Sequence, residues 1–121
     1  VSERSIVAVI DDDDDIRQAL GAMFMSNGYD VECFESAEAF LDQLDTLPVS
    51  VIVSDLQMGG LSGLDLCRDL IAGGIDLPVI LITAFASDAV RARAQRLKVR
   101  AVLEKPFEPA LLLREVQQFY R

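Results

Sequence analysis

Five consecutive aspartates, Asp11 to Asp15, follow the apolar run Ile6-Val7-Ala8-Val9-Ile10 and precede a helical pattern that opens at Ile16. Asp55 follows Val51-Ile52-Val53-Ser54, Thr83 follows Val79-Ile80-Leu81-Ile82, and Lys105 follows Val102-Leu103-Glu104. Carboxylates gathered at one point repel each other unless a cation joins them. Oxygen donors without His or Cys select a hard ion, and Mg2+ is the usual one in phosphate chemistry. Beside such an ion, Asp55 is suited to accept a phosphoryl group as an aspartyl phosphate. The cation would screen the carboxylate from the incoming anion. Lys105 would neutralise one phosphoryl oxygen as a point charge, and the Thr83 hydroxyl and Ala84 N–H would donate to another. Singly, each residue has a plainer reading: a solvated acidic loop, a turn aspartate, a strand-end hydroxyl, a surface lysine. Their common placement after apolar runs joins them into one pocket.

The elements that would position them alternate. Ile6–Ile10 is continuously apolar, as in a strand buried on both faces. Ile16, Ala19, Leu20, Met23 and Phe24 form the stripe of an amphipathic helix that ends at Asn27-Gly28. One of the later aspartates caps it, with Asp14 and Asp15 as cap or solvent-facing charge and Asp13 close enough to approach a metal. Val31–Phe34 reads as a second strand. Ser36 caps a second helix with Ala37, Phe40, Leu41 and Leu44 inward. Val49–Ser54 is a third strand, followed by the glycine-rich segment Asp55–Gly63. Leu64, Cys67, Leu70 and Ile71 carry a third helix stopped by Gly73-Gly74. Val79–Ile82 is a fourth strand. Residues 87–97 are helical with Ala89, Val90, Ala94 and Leu97 inward. Ala101–Leu103 is a short fifth strand, and Pro109 opens a last helix lined by Leu112, Val116, Phe119 and Tyr120. Five β-α repeats predict an α/β fold: a doubly wound five-stranded parallel sheet covered by helices on both faces. In such sheets ligands bind beyond the C-terminal strand edges, where Asp11, Asp12, Asp55, Thr83 and Lys105 fall.

Composition narrows the possibilities. The 121 residues, 51% hydrophobic, suit one domain with one core. No apolar run is long enough to span a bilayer and no signal-peptide pattern opens the chain, so a cytoplasmic domain with no membrane partner is expected. The first residue is Val, which fits a processed protein or a piece of a longer one. A net charge of −9 argues against direct nucleic-acid binding by this domain. With no histidine, the chain holds no His-based metal site, no Ser-His triad and no phosphohistidine of its own. Cys33 and Cys67 are expected to be buried free thiols of a reducing compartment.

Four short motifs occur in order, each at a strand exit: Val9-Ile10-Asp11-Asp12 with Arg17 downstream, Ser54-Asp55-Leu56 followed by Ser62-Gly63, Ile82-Thr83-Ala84, and Lys105-Pro106-Phe107. Together they resemble the response-regulator receiver domain of two-component signalling, over the whole of residues 1–121. Phe34-Glu35-Ser36-Ala37-Glu38-Ala39-Phe40-Leu41 further resembles the nitrogen-fixation and nodulation regulators, whose output is a LuxR-type helix-turn-helix domain. The resemblance implies the flavodoxin-like (βα)5 strand order 2-1-3-4-5. It also implies Asp55 as the phosphorylation site, with a sensor histidine kinase as donor. Mg2+ would be held by Asp12 directly, Asp11 through water, Asp55, and the backbone carbonyl of Gln57. Thr83, Ala84 and Lys105 would contact the phosphoryl group. The domain would modify only itself and so not act as a turnover enzyme.

Three positions depart from the family pattern. Val102 stands where a switch aromatic paired with Thr83 is common, Gly59 where proline is common, and Lys98 where a glycine commonly ends the fourth helix. Six of the eleven basic residues, Arg91, Arg93, Arg96, Lys98, Arg100 and Lys105, gather in one segment, which suggests a homodimer or effector contact through helix four and strand five. Two other functions compete. One is a receiver-like interaction module that is never phosphorylated. The other is a haloacid-dehalogenase-type phosphatase, which would need an Asp-x-Asp nucleophile after the first strand and room for a cap domain.

Overall fold

The computed structural model describes residues 5–120. Its elements alternate: β1 (Ile6–Ile10), α1 (Asp14–Ser26), β2 (Val31–Phe34), α2 (Ala37–Gln43) with a single 3-10 turn (Leu44–Thr46), β3 (Val49–Asp55), α3 (Gly63–Ala72), β4 (Val79–Thr83), α4 (Asp88–Arg96), β5 (Ala101–Glu104) and α5 (Pro109–Gln117). All pairings are parallel and the strand order is β2-β1-β3-β4-β5, the flavodoxin-like order that the family resemblance implies.

Strand alternation divides the interior in two. Ala8, Ile10, Ile52 and Leu81 point toward α2, α3 and α4, where they meet Phe40, Leu66 and Ala94. Val7, Val9, Val51, Val53 and Ile80 point the other way, against Phe24 of α1 and Leu112 and Val116 of α5. Phe24 and Phe40 are fully buried, each contributing roughly 1.5–3 kcal/mol by transfer from water. The Tyr120 hydroxyl donates to the Ser5 carbonyl at 2.7 Å and accepts from the Asp30 N–H at 3.1 Å, tying the end of α5 to the starts of β1 and β2.

The structure corrects several expectations. α1 begins at Asp14, and its cap is Asp13, whose carboxylate accepts from the N–H groups of Asp15 and Ile16. Asp13 is the residue with the extended backbone an N-cap requires (φ −91°, ψ 116°); Asp14 and Asp15 are already helical. Ala19 and Ala89 are exposed, because small side chains at the margins of an apolar stripe do not reach the core. Ile71, in the last turn of α3, is 51% exposed. Cys67 is buried but Cys33 is exposed. Cys33 lies on β2, an edge strand paired only with β1, and packs over Gly21, which has no side chain to cover it.

Three helices end alike. After α1, α3 and α4 the chain turns through Gly28 (φ 87°), Gly74 (φ 71°) and Lys98 (φ 60°). In each case the two N–H groups that follow reach back to the last turn: Gly28 and Tyr29 to Met25 and Phe24, Gly74 and Ile75 to Ile71 and Leu70, Lys98 and Val99 to Gln95 and Ala94. This paired pattern is a Schellman motif, which places its central residue in the left-handed region. Glycine meets that demand freely and lysine does not. We expect Lys98→Gly to stabilise the domain by about 0.5–1 kcal/mol in urea unfolding, with m unchanged; a loss of stability would contradict the strain assigned to Lys98.

Candidate functional site

The parallel register brings the chemically equipped residues to one edge. Ile10 pairs with Ser54, Asp55 with Ile82, and Thr83 with Glu104. Asp11, Asp55, Thr83 and Lys105 therefore leave adjacent strands at nearly one level.

Asp11 is buried, 3% exposed. Its N–H donates to the Phe34 carbonyl at 3.1 Å, and its Oδ1 accepts from the Asp13 N–H at 2.9 Å. Arg17 reaches back from α1, giving one Nη to the Asp11 carbonyl at 2.7 Å and the other to the Asp14 carboxylate at 3.0 Å. The aspartate run thus divides by role. Asp11 and Asp12 face the site, Asp13 caps α1, Asp14 bonds Arg17 and Gln18, and Asp15 is exposed.

Asp55 closes β3. Carboxylate oxygens of Asp11, Asp12 and Asp55 lie within 4.8 Å of one another. The Lys105 ammonium stands 3.8 Å from Asp55 Oδ1, an ion pair too long for a hydrogen bond. Burial, reinforced by the charge of Asp11 and opposed by Lys105, pushes the Asp55 carboxyl up to about 6 from 3.8. Burial also raises Asp11, against the hydrogen bond from Asp13 and the charge of Lys105. Three crowded carboxylates, of which Asp11 and Asp55 hold their protons more tightly than usual, fit a divalent hard cation, which would relieve the repulsion. Gln57, whose carbonyl is expected to join them, is exposed on the loop after Asp55.

That loop returns at Gly63, whose N–H donates to the Leu56 carbonyl at 2.9 Å. A Cβ on Gly63 would lie 2.6 Å from Leu81 and 2.8 Å from the Asp55 carbonyl, so only glycine fits there. The Ser62-Gly63 pair has a packing reason that its sequence does not display. Ser62 also caps α3 through a reciprocal pair of bonds with Asp65.

On the far side, the Thr83 hydroxyl is buried and bonded to its own loop, accepting from the Phe85 N–H and donating to the Phe85 carbonyl, both at 3.2 Å. Glu104 holds the same loop by accepting from the Ala86 N–H at 2.7 Å, a role that sequence reading did not assign. Ala84 is exposed. Val102 packs against the core on the α4 side and Lys105 precedes a cis Pro106. A concavity of about 440 Å3 lined by Ser5, Pro48, Asp76, Arg100 and Phe119 opens at the opposite, N-terminal edge of the sheet, away from this chemistry.

A carboxyl that binds its proton more tightly folded than unfolded destabilises the fold once ionised. For Asp55 that penalty is absent below about pH 4, grows through the window up to about 6, and is complete above it. Allowing for partial solvent screening, Asp55→Asn is expected to stabilise the metal-free domain by about 1–2 kcal/mol near neutral pH. In urea titrations the gain should vanish toward about pH 4, and saturating Mg2+ should reduce it by stabilising the wild type. A pH-independent gain would mean that Asp55 ionises freely.

The response regulator receiver domain family matches residues 7–117. The chain is 39% identical over 111 residues to the transcriptional regulatory protein FixJ of Azorhizobium caulinodans, covering 92% of this chain and 53% of that protein. It is 34% identical over 115 residues to FixJ of Bradyrhizobium diazoefficiens, covering 95% and 56%. The chain spans about half the length of these curated relatives. Among solved structures it is similar to FixJ-N, with a TM-score of 0.86 at 30% identity over 98% of this chain and 94% of that one. It is also similar to the response regulator StyR, with a TM-score of 0.90 at 32% identity over 98% of this chain and 60% of that one. A parallel 2-1-3-4-5 sheet whose edge gathers Asp11, Asp12 and Asp55, matched over nearly its whole length, makes this chain a member of the response regulator receiver domain family.

Proposed function

We propose that the domain accepts a phosphoryl group on Asp55 from the phosphohistidine of a sensor histidine kinase. The convergence of Asp11, Asp12 and Asp55 within 4.8 Å, with Lys105 beside Asp55, carries this reading. In the transfer the P–N bond of the donor breaks, a P–O bond to an Asp55 carboxylate oxygen forms, and the released imidazole takes a proton from solvent. Mg2+, when held by Asp11, Asp12, Asp55 and the Gln57 carbonyl, supplies the positive charge that lets carboxylate and phosphoryl approach. Lys105 neutralises a phosphoryl oxygen, and the Ala84 N–H and Thr83 hydroxyl donate to the others. Attack of water on phosphorus later breaks the Asp55–phosphoryl bond and releases inorganic phosphate. The domain modifies itself and does not turn over a separate substrate.

To meet the phosphoryl group, Thr83 must give up its bonds to Phe85. Thr83 and Val102 are the switch positions, and valine cannot follow the hydroxyl as a rotating ring would, so the change passes through the backbone of residues 84–86. The relatives named as transcriptional regulators support a DNA-binding output in a longer cytoplasmic protein, which this acidic domain would control without itself binding nucleic acid. Incubation with acetyl phosphate and Mg2+ followed by intact mass measurement should give a single phosphoryl adduct in the wild type and none in Asp55→Asn. An adduct that persists in Asp55→Asn moves the acceptor elsewhere. No adduct despite Mg2+ binding favours a pure interaction module.

The basic segment supports a contact surface in part. Arg93 pairs with Asp65 of α3 at 3.4 Å and Arg100 lies 5.6 Å from the centre of the Phe119 ring, so these charges serve the fold. Arg91, Arg96 and Lys98 are exposed and remain for a homodimer or effector through α4 and β5. Phosphorylation should then alter the oligomeric state or slow amide exchange across residues 86–103; neither change would leave that surface without a role.

A further inference from the structure

The segment between Asp55 and α3 contains two adjacent glycines, Gly59 and Gly60, and Gly60 adopts a φ of 95°. Such a backbone has many accessible conformations and needs an external hold to keep one. A hold reaches it from another element. Glu38, in the first turn of α2, accepts from the Leu61 N–H at 3.3 Å. Its carboxylate also lies directly over Gly60, where a Cβ would overlap it. The turn beneath Glu38 is capped and packed: Ser36 caps α2 by accepting from the Ala39 N–H at 3.0 Å, and Ala37 and Phe40 on either side are fully buried. At its other end the loop is pinned to the Leu56 carbonyl through Gly63.

We propose that Glu38 is a positioning residue for the metal site, holding the Gly60–Leu61 backbone so that the loop presents the Gln57 carbonyl to the cation. The inference rests on the reading that Asp11, Asp12, Asp55 and Gln57 bind Mg2+. Glu38 itself stays outside that set. It lies on the neighbouring helix, its bond runs to backbone rather than to a ligand side chain, and it is absent from the carboxylate cluster. Its carboxylate replaces conformational freedom in the loop with one geometry before the metal arrives, which is how partners behind the ligands raise metal affinity.

Calorimetric titration of Mg2+ into the wild type, Glu38→Ala, Glu38→Gln and Asp12→Asn tests this, together with amide exchange at Leu61 in the metal-free proteins. Glu38→Ala should weaken Mg2+ binding roughly tenfold, the lower end of the range for such supporting partners, and speed exchange at Leu61. Glu38→Gln, whose amide oxygen still accepts, should restore most of both. Urea unfolding of the metal-free variants separates loss of affinity from loss of fold. Unchanged Mg2+ affinity in Glu38→Ala, with Asp12→Asn defective, overturns the positioning role and leaves the metal site standing. Equal defects in Glu38→Ala and Glu38→Gln assign the effect to bulk charge and also overturn it. A wild type that does not bind Mg2+ removes the underlying site reading itself.

Discussion

Carboxylates of Asp11, Asp12 and Asp55 are held within 4.8 Å of one another against their own repulsion. At an effective dielectric near 20, a pair of like charges at such a distance is disfavoured by on the order of 3 kcal/mol. The fold counters this from several sides. The Asp13 N–H bonds Asp11, Arg17 clamps the Asp11 carbonyl, and Lys105 stands beside Asp55. Burial first, and the charge of Asp11 second, still hold the Asp55 carboxyl above its ordinary value. The site is thereby biased toward anything that brings positive charge, which suits a metal cation.

The sheet makes that arrangement possible because it does not yield. β1 and β3 are central and buried on both faces, so their ends cannot drift apart to let the carboxylates separate. The loops at the same edge are held differently. Thr83 to Phe85, Glu104 to Ala86 and Glu38 to Leu61 are bonds between a side chain and loop backbone. Each is worth about 1 kcal/mol net, so the loops are held less firmly than the strand ends they flank.

Much of this was legible in the chain. Strand positions followed from apolar runs, and helix ends from Asn27-Gly28 and Gly73-Gly74, because glycine is the residue that enters the left-handed region freely. Lys98 stands where a glycine commonly ends the fourth helix, and it adopts the same conformation against its own preference, with the Val99 N–H bonded to the Ala94 carbonyl. Of the acidic run, Asp11 and Asp12 are the members that reach Asp55. The α1 cap was expected at Asp14 or Asp15, since any aspartate there can cap and only the backbone path selects Asp13. Cys33 was misjudged because an apolar neighbourhood in sequence does not reveal an edge strand. Glu38 and Glu104 carried no signal at all: each acts on backbone 18 or more residues away.

By itself the sequence determined the β-α alternation, the apolar faces and the identity of Asp11, Asp12, Asp55, Thr83 and Lys105 as the chemically equipped residues. These are consequences of local periodicity and of side-chain chemistry, which need no partner to be read. Only the tertiary structure decided that Asp11, Asp12 and Asp55 share one space, that the Thr83 hydroxyl is bound to its own loop, and that the basic segment is partly spent on Asp65 and Phe119. Those facts depend on register and on contacts between elements distant in the chain, and such distances are set by packing of the whole domain.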